Sequence, residues 1–127
     1  MIYGIGTDLV ELSRIARLLE KYGERFAKRL LTDQEWPEYL KSSQKAMFLS
    51  KRFAAKEALS KAIGIGLRYP VSLNHIGITH DEHGKPGFEF HSDLNELVKN
   101  KGITNHHLSI SDELNLACAF VILEKSS

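Results

Sequence analysis

Hydrophobic positions follow two rhythms along the chain. Leu12, Ile15, Ala16 and Leu19 recur at the i, i+3, i+4, i+7 spacing of an amphipathic helix whose polar face carries Arg14, Arg17 and Lys21 and which Gly23 ends. Lys45 to Ile63 are strong helix formers without Gly or Pro until Gly64 and Gly66, which predicts the longest helix. Leu94, Leu97 and Val98, closed by Gly102, predict a shorter one. Elsewhere the period drops to two. Ile76 and Ile78, then Phe88 and Phe90, alternate around His83-Gly84-Lys85-Pro86, so two strands joined by a turn are expected. Leu108 and Ile110 face one way, and His107, Ser109 and Ser111 the other. The apolar run Leu116 to Leu123 predicts a central strand covered on both faces. Ile2-Tyr3-Gly4-Ile5-Gly6 predicts a short strand that delivers Thr7 and Asp8 at its C-terminal end. Thr32-Asp33-Gln34-Glu35 fits a capping box opening a short helix, with Pro37 pointing to a somewhat later start. The sum is an α+β fold, an antiparallel sheet packed against a long helix.

The 127 residues suffice for one domain, expected to span 1–127. With 43% hydrophobic and 26% charged residues the chain is expected to be globular, which excludes disorder. Seventeen Lys+Arg against sixteen Asp+Glu leave a net charge of +1, so any anion-binding surface must be local and nucleic acid is not an expected partner. A single cysteine, Cys118, sits within an apolar run and fits a reducing, cytoplasmic setting. No apolar stretch approaches the ~20 residues of a membrane span, and the N-terminus lacks the pattern of a signal peptide.

Two carboxylates stand out. Asp8 at the end of a strand sits at the rim of the core, or else caps the helix that follows. Glu57 shares a helix face with Ala46, Leu49, Phe53 and Ser60, so an acid lies on a partly apolar face and needs a partner. Lys61 at i+4 supplies the simple one, a pair worth ~0.2–0.5 kcal/mol on an exposed helix. The sharper reading is an oxygen ligand for a hard cation such as Mg²⁺. Arg52, Lys56 and Lys61, followed by Gly64-Ile65-Gly66, suit phosphate, or else form a solvated helix face. No histidine spacing supports zinc, and neither a Walker sequence nor GxSxG is present.

Several segments together resemble the small holo-acyl-carrier-protein synthases of the phosphopantetheinyl transferase superfamily. They are Ile5-Gly6-Thr7-Asp8-Leu9-Val10-Glu11, Arg25-Phe26, Leu31-Thr32, Lys51-Arg52-Phe53-Ala54-Ala55-Lys56-Glu57-Ala58, Lys61-Ala62, Gly84-Lys85-Pro86 and His107-Leu108-Ser109-Ile110-Ser111. Two departures are visible: Ile65 stands where many relatives have Thr between the two glycines, and Asp112 where many have a second histidine. The resemblance implies transfer of 4′-phosphopantetheine from coenzyme A to a serine of apo-acyl carrier protein, serving fatty acid biosynthesis. It implies Asp8, Glu57 and Lys61 as catalytic residues, Mg²⁺ on Asp8 and Glu57, and coenzyme A on Arg52, Lys61, Gly64, Gly66 and His107. It further implies an acidic carrier protein docked on Arg14, Arg17, Lys21 and Arg25, and a homotrimer with its sites between protomers. The competing readings are a non-catalytic basic module for an acidic protein or RNA, and a Mg²⁺-dependent hydrolase of coenzyme A-like diphosphates.

Overall fold

The expected long helix is the element on which the others are assembled. The computed structural model describes residues 1–126; Ser127, the last residue of the expected domain, lies outside the described residues. In chain order the elements are β1 (Ile2–Glu11), α1 (Leu12–Tyr22), α2 (Glu24–Leu30), α3 (Trp36–Lys41), α4 (Lys45–Ile63), a 3₁₀ turn (Leu73–His75), β2 (Ile76–His80), β3 (Pro86–Phe90), α5 (Asp93–Asn100), β4 (Ile103–Glu113) and β5 (Leu116–Lys125). β1, β5 and β4 form an antiparallel sheet with β5 in the middle, and β2–β3 is a separate antiparallel hairpin. The half-buried His106 ring on β4 meets Phe88 and Phe90 edge-on, joining hairpin to sheet. Among the described residues no helix is long and apolar enough to cross a membrane.

One face of the sheet rests on α4. Val10, Ala119, Val121 and Leu123 are buried there against Leu49, Ala54, Ala58 and Leu59. The approach is unusually close: a Cβ at Gly6 would fall 1.9 Å from the Ala58 carbonyl oxygen, and one at Gly4 2.0 Å from that of Ala62. Only glycine lets the strand backbone lie directly on the helix backbone.

Three expectations change. β1 does not stop at Gly6. It runs to Glu11 with Asp8 paired to Ala119 in mid-strand, and Glu11, not Asp8, stands before α1. The alternation is inverted from the usual order, with glycines turned inward and Ile5, Thr7 and Leu9 outward, which disguised the strand's length. β5 is central as expected but covered on one face only: Phe120 stays 44% exposed and Cys118 and Ile122 half-buried. Helix α2 was not expected, since Glu24–Leu30 is short and rich in charge.

Thr32 and Glu35 exchange the reciprocal bonds of a capping box, the Thr32 amide donating to Glu35 Oε1 at 2.8 Å and the Glu35 amide to Thr32 Oγ1 at 3.3 Å, but they do so in the turn ahead of α3, whose N-cap is Glu35 and which starts at Trp36. Glu35 is nevertheless a core residue. Lys56 Nζ donates to its Oε1 at 2.6 Å, Arg52 Nη1 to its Oε2 at 2.8 Å, and the Ile78 amide to its Oε2 at 3.2 Å. Lys56 also donates to the carbonyls of Leu30 and Leu73 at 2.7 and 3.0 Å. One buried carboxylate thus ties α4 to the turn before α3 and to β2, and the lysine bound to it adds the end of α2.

Candidate active site

The close contact of β1 with α4 builds the site. Two residues of strand advance about 6.7 Å and four of helix about 6.0 Å, so the pairings Gly4 with Ala62 and Gly6 with Ala58 step together along the two elements. The next inward residue of the strand is Asp8, whose carboxylate arrives beside the helix turn that carries Glu57 and Lys61. Lys61 Nζ donates to Asp8 Oδ1 at 3.1 Å and to the Thr7 carbonyl at 2.9 Å. Burial, then the negative charge of Asp8, push the Glu57 carboxyl above its usual range, and Lys61 and Arg14 pull it back only in part. Arg14 completes the rim, its guanidinium 5.9 Å from the centre of the Phe53 ring. Two acids close enough for one to oppose the other's ionisation, with an exposed lysine bonded to one of them, can hold a divalent cation and the oxygens of a phosphate. Among the described residues no group of three or more His, Cys, Asp or Glu forms a metal cage.

A profile of the 4′-phosphopantetheinyl transferase superfamily matches residues 4–119. The chain belongs to this superfamily. A holo-(acyl-carrier-protein) synthase of Nitrosospira multiformis is 79% identical over 125 residues, spanning 98% of this chain and 100% of its own. The crystal structure of the synthase of Neisseria meningitidis, 49% identical, superposes with a TM-score of 0.96 over 98% of this chain and 100% of that one. That of Bacillus anthracis, in complex with CoA (3′,5′-ADP), is 39% identical with a TM-score of 0.82, covering 99% of both. The module and hydrolase readings find no support among these relatives.

The transferase keeps Asp8, Glu57 and Lys61 together, but not in the pairing that helix spacing suggested. Lys61 bonds Asp8 across the strand, leaving Glu57 without a salt bridge to it among the described residues. The basic cluster on α4 divides. Lys56 is wholly buried on Glu35 and unavailable to ligands, so neither a phosphate cluster of three nor a solvated face describes it. Arg52 is buried too, stacked 4.4 Å from the centre of the Phe48 ring, yet it lines a recess with Lys51, His80, Gly84, Pro86 and Ile110. Asp112 pairs with Lys51 at 3.5 Å. Gly64 and Gly66 have positive φ of 101° and 70°, and Gly64 spends its amide on the Ser60 carbonyl, so Gly64 can meet a ligand only by backbone contact while Lys61 supplies the charge for an anion at this helix end. His107 lies apart from the carboxylates, exposed on the outer sheet face, with Nε2 2.6 Å from Glu124 Oε1. Arg14, Arg17, Lys21 and Arg25 are all exposed, and Arg25 with Arg29 lines a cleft shared with Leu18, Tyr22 and Phe26. Sequence reasoning missed Glu35 as the partner of Arg52 and Lys56; its capping-box spacing was legible, its burial was not.

Proposed function

We propose that this chain, acting as one transferase domain, moves the 4′-phosphopantetheine arm of coenzyme A onto a serine hydroxyl of apo-acyl carrier protein for fatty acid biosynthesis. The observation that carries the reading is the Asp8–Glu57 pair with Lys61 at its edge. A bond forms between the serine oxygen and the phosphorus bearing pantetheine, the bond from that phosphorus to the bridging oxygen breaks, and adenosine 3′,5′-bisphosphate leaves. The serine hydroxyl proton passes to solvent, from which Lys61 is reprotonated after the transfer. Negative charge builds on the leaving phosphate. Lys61, reaching out from the strand carbonyl that holds it, contacts that phosphate and gives the leaving oxygen a proton. Asp8 and Glu57 would suit Mg²⁺, because the charge of Asp8 opposes ionisation of Glu57 and a bound cation would offset it; when bound, the ion would neutralise diphosphate oxygens. Arg52, Lys61, Gly64, Gly66 and His107 hold coenzyme A, with Arg52 and His107 at the 3′-phosphate. Intact-mass analysis of apo-carrier protein incubated with coenzyme A and Mg²⁺ tests the reading. One phosphopantetheine should be added, and none after chelation; an unchanged mass would sink it.

Carrier protein docks on Arg14, Arg17, Lys21 and Arg25, exposed cations of α1 and α2, the last of which lines the cleft between these helices. Arg14 also touches the carboxylate site, so Arg17→Glu with Lys21→Glu is the cleaner probe. This variant should raise the KM for carrier protein by about fivefold or more at low salt and leave the KM for coenzyme A in place. Equal effects on both substrates would remove the face from the scheme.

The working unit is a homotrimer in the cytoplasm. Its support is the outer face of the sheet, where Ile5 and Leu9 are 59% and 63% exposed next to Phe120 and Leu116, an apolar surface that a second copy would cover. His107 stands on that same face, where it can reach coenzyme A held by a neighbour. Light scattering at assay concentration should return three times the chain mass, and an active monomer would count against the arrangement. The cytoplasmic setting rests on the unpaired Cys118.

A further inference from the structure

Arg52 is not a bare cation. Its Nη1 donates to Glu35 Oε2 at 2.8 Å and to the Ile78 carbonyl at 3.2 Å, and its Nη2 to Glu38 Oε2 at 2.8 Å. Of the five N–H donors of a guanidinium, Nε–H and one on Nη2 remain for a ligand in the recess that Arg52 lines. Two carboxylates balance the two cations Arg52 and Lys56, but the carboxylates differ in surroundings. Glu35 is 2% exposed and shared with Lys56, whereas Glu38 is 55% exposed and serves Arg52 alone among the described residues.

We propose that Glu38 is a specificity-determining residue that masks part of the charge of Arg52, and so limits how strongly the recess holds the 3′-phosphate of coenzyme A. The inference rests on the reading of Arg52 given above. Removing Glu38 would not release the arginine, because Glu35, the Ile78 carbonyl and the Phe48 ring still fix it. Glu38→Gln keeps an oxygen that accepts the same hydrogen bond and deletes only the charge. The arginine then stays in place and meets a dianionic phosphate with less of its charge cancelled. His80, on the wall of the same recess, reports the local balance: burial, then Arg52, hold its imidazole below the usual range, Lys51 adds to this, and Glu38 and Asp81 oppose it.

Glu38→Gln is compared with the parent using coenzyme A and dephospho-coenzyme A, which lacks the 3′-phosphate, while NMR follows the titration of His80. The expected result is a KM for coenzyme A lower by about 1.4-fold to about fivefold, the range set by the ~0.2–1 kcal/mol of a solvent-exposed charge pair. The KM for dephospho-coenzyme A should be unmoved and the His80 pKa lower. An unmoved His80 would overturn the proposal by showing that the charge of Glu38 is not felt in the recess, with the role of Arg52 untouched. A lowered His80 pKa with equal KM changes for both substrates would overturn it through Arg52, which then does not face the 3′-phosphate. A weaker preference for coenzyme A would also overturn it, as Glu38 would then position Arg52 instead of masking it.

Discussion

Glu57→Gln should cut transfer by about 10²-fold or more and at the same time raise the melting temperature at neutral pH. Both effects come from one arrangement. The carboxyl of Glu57 is pushed above its usual range by burial and by Asp8, so the folded chain holds that proton more tightly than the unfolded chain does. The stability associated with the group is therefore complete below the unfolded value of 4.5 and is lost as pH rises through the folded value. Glutamine has nothing to ionise and escapes the loss. Thermal unfolding of parent and variant without metal should diverge at pH 7 and converge in acid, while turnover stays low throughout. Asp8→Asn should also lose turnover and should bring the Glu57 carboxyl down towards its usual range, which carboxyl-detected NMR can read. Normal turnover in Glu57→Gln would reduce these acids to a structural role.

The second large effect is on stability alone. Lys56→Met should destabilise the fold by about 3–5 kcal/mol, because it leaves a buried carboxylate short of a partner. Burial tends to raise the Glu35 carboxyl, but the Lys56 charge, the bonds from Lys56 and the Thr32 amide, and Arg52 outweigh it and hold it below the usual range. That contribution is present above the unfolded value of 4.5 and is lost as pH falls through the folded one. Burial also draws Lys56 down to about 8, so between there and 10.5 the folded chain has released a proton that the unfolded chain retains, and this group favours the fold as pH rises. Urea denaturation at pH 7 should show the full loss in Lys56→Met and a smaller one in acid. Adding Glu35→Gln should restore part of it, since the stranded charge is then gone. A loss below about 1 kcal/mol at pH 7 would mean that the ion cluster is dispensable.

Helix α4 and the β2–β3 hairpin were legible because local chemistry and tertiary packing agree there: unbroken helix formers ending at Gly64, and aromatic alternation around Gly84. β1 was half legible. Ahead of Val10 its inward positions are two glycines and an aspartate, where a buried strand face usually shows branched residues, because the surface opposite the glycines is a helix backbone and not a layer of side chains. Asp8 and Glu57 could be singled out as residues, but no periodicity joins positions 49 apart in sequence, and only the resemblance suggested that they meet. The i+4 rule pointed Lys61 at Glu57. The lysine instead found Asp8, together with a strand carbonyl that helix geometry alone does not reveal.

The contact at Gly4 and Gly6 sets a mechanical tolerance. Side chains between two elements act as compliant spacers that change rotamer, and the elements they separate drift with them. Here no side chain lies between strand and helix at Gly4 and Gly6. The gap between the acid on the strand and the acid and lysine on the helix is therefore gauged by main-chain atoms, the stiffest parts of the molecule, and looseness elsewhere in the core has little leverage on it.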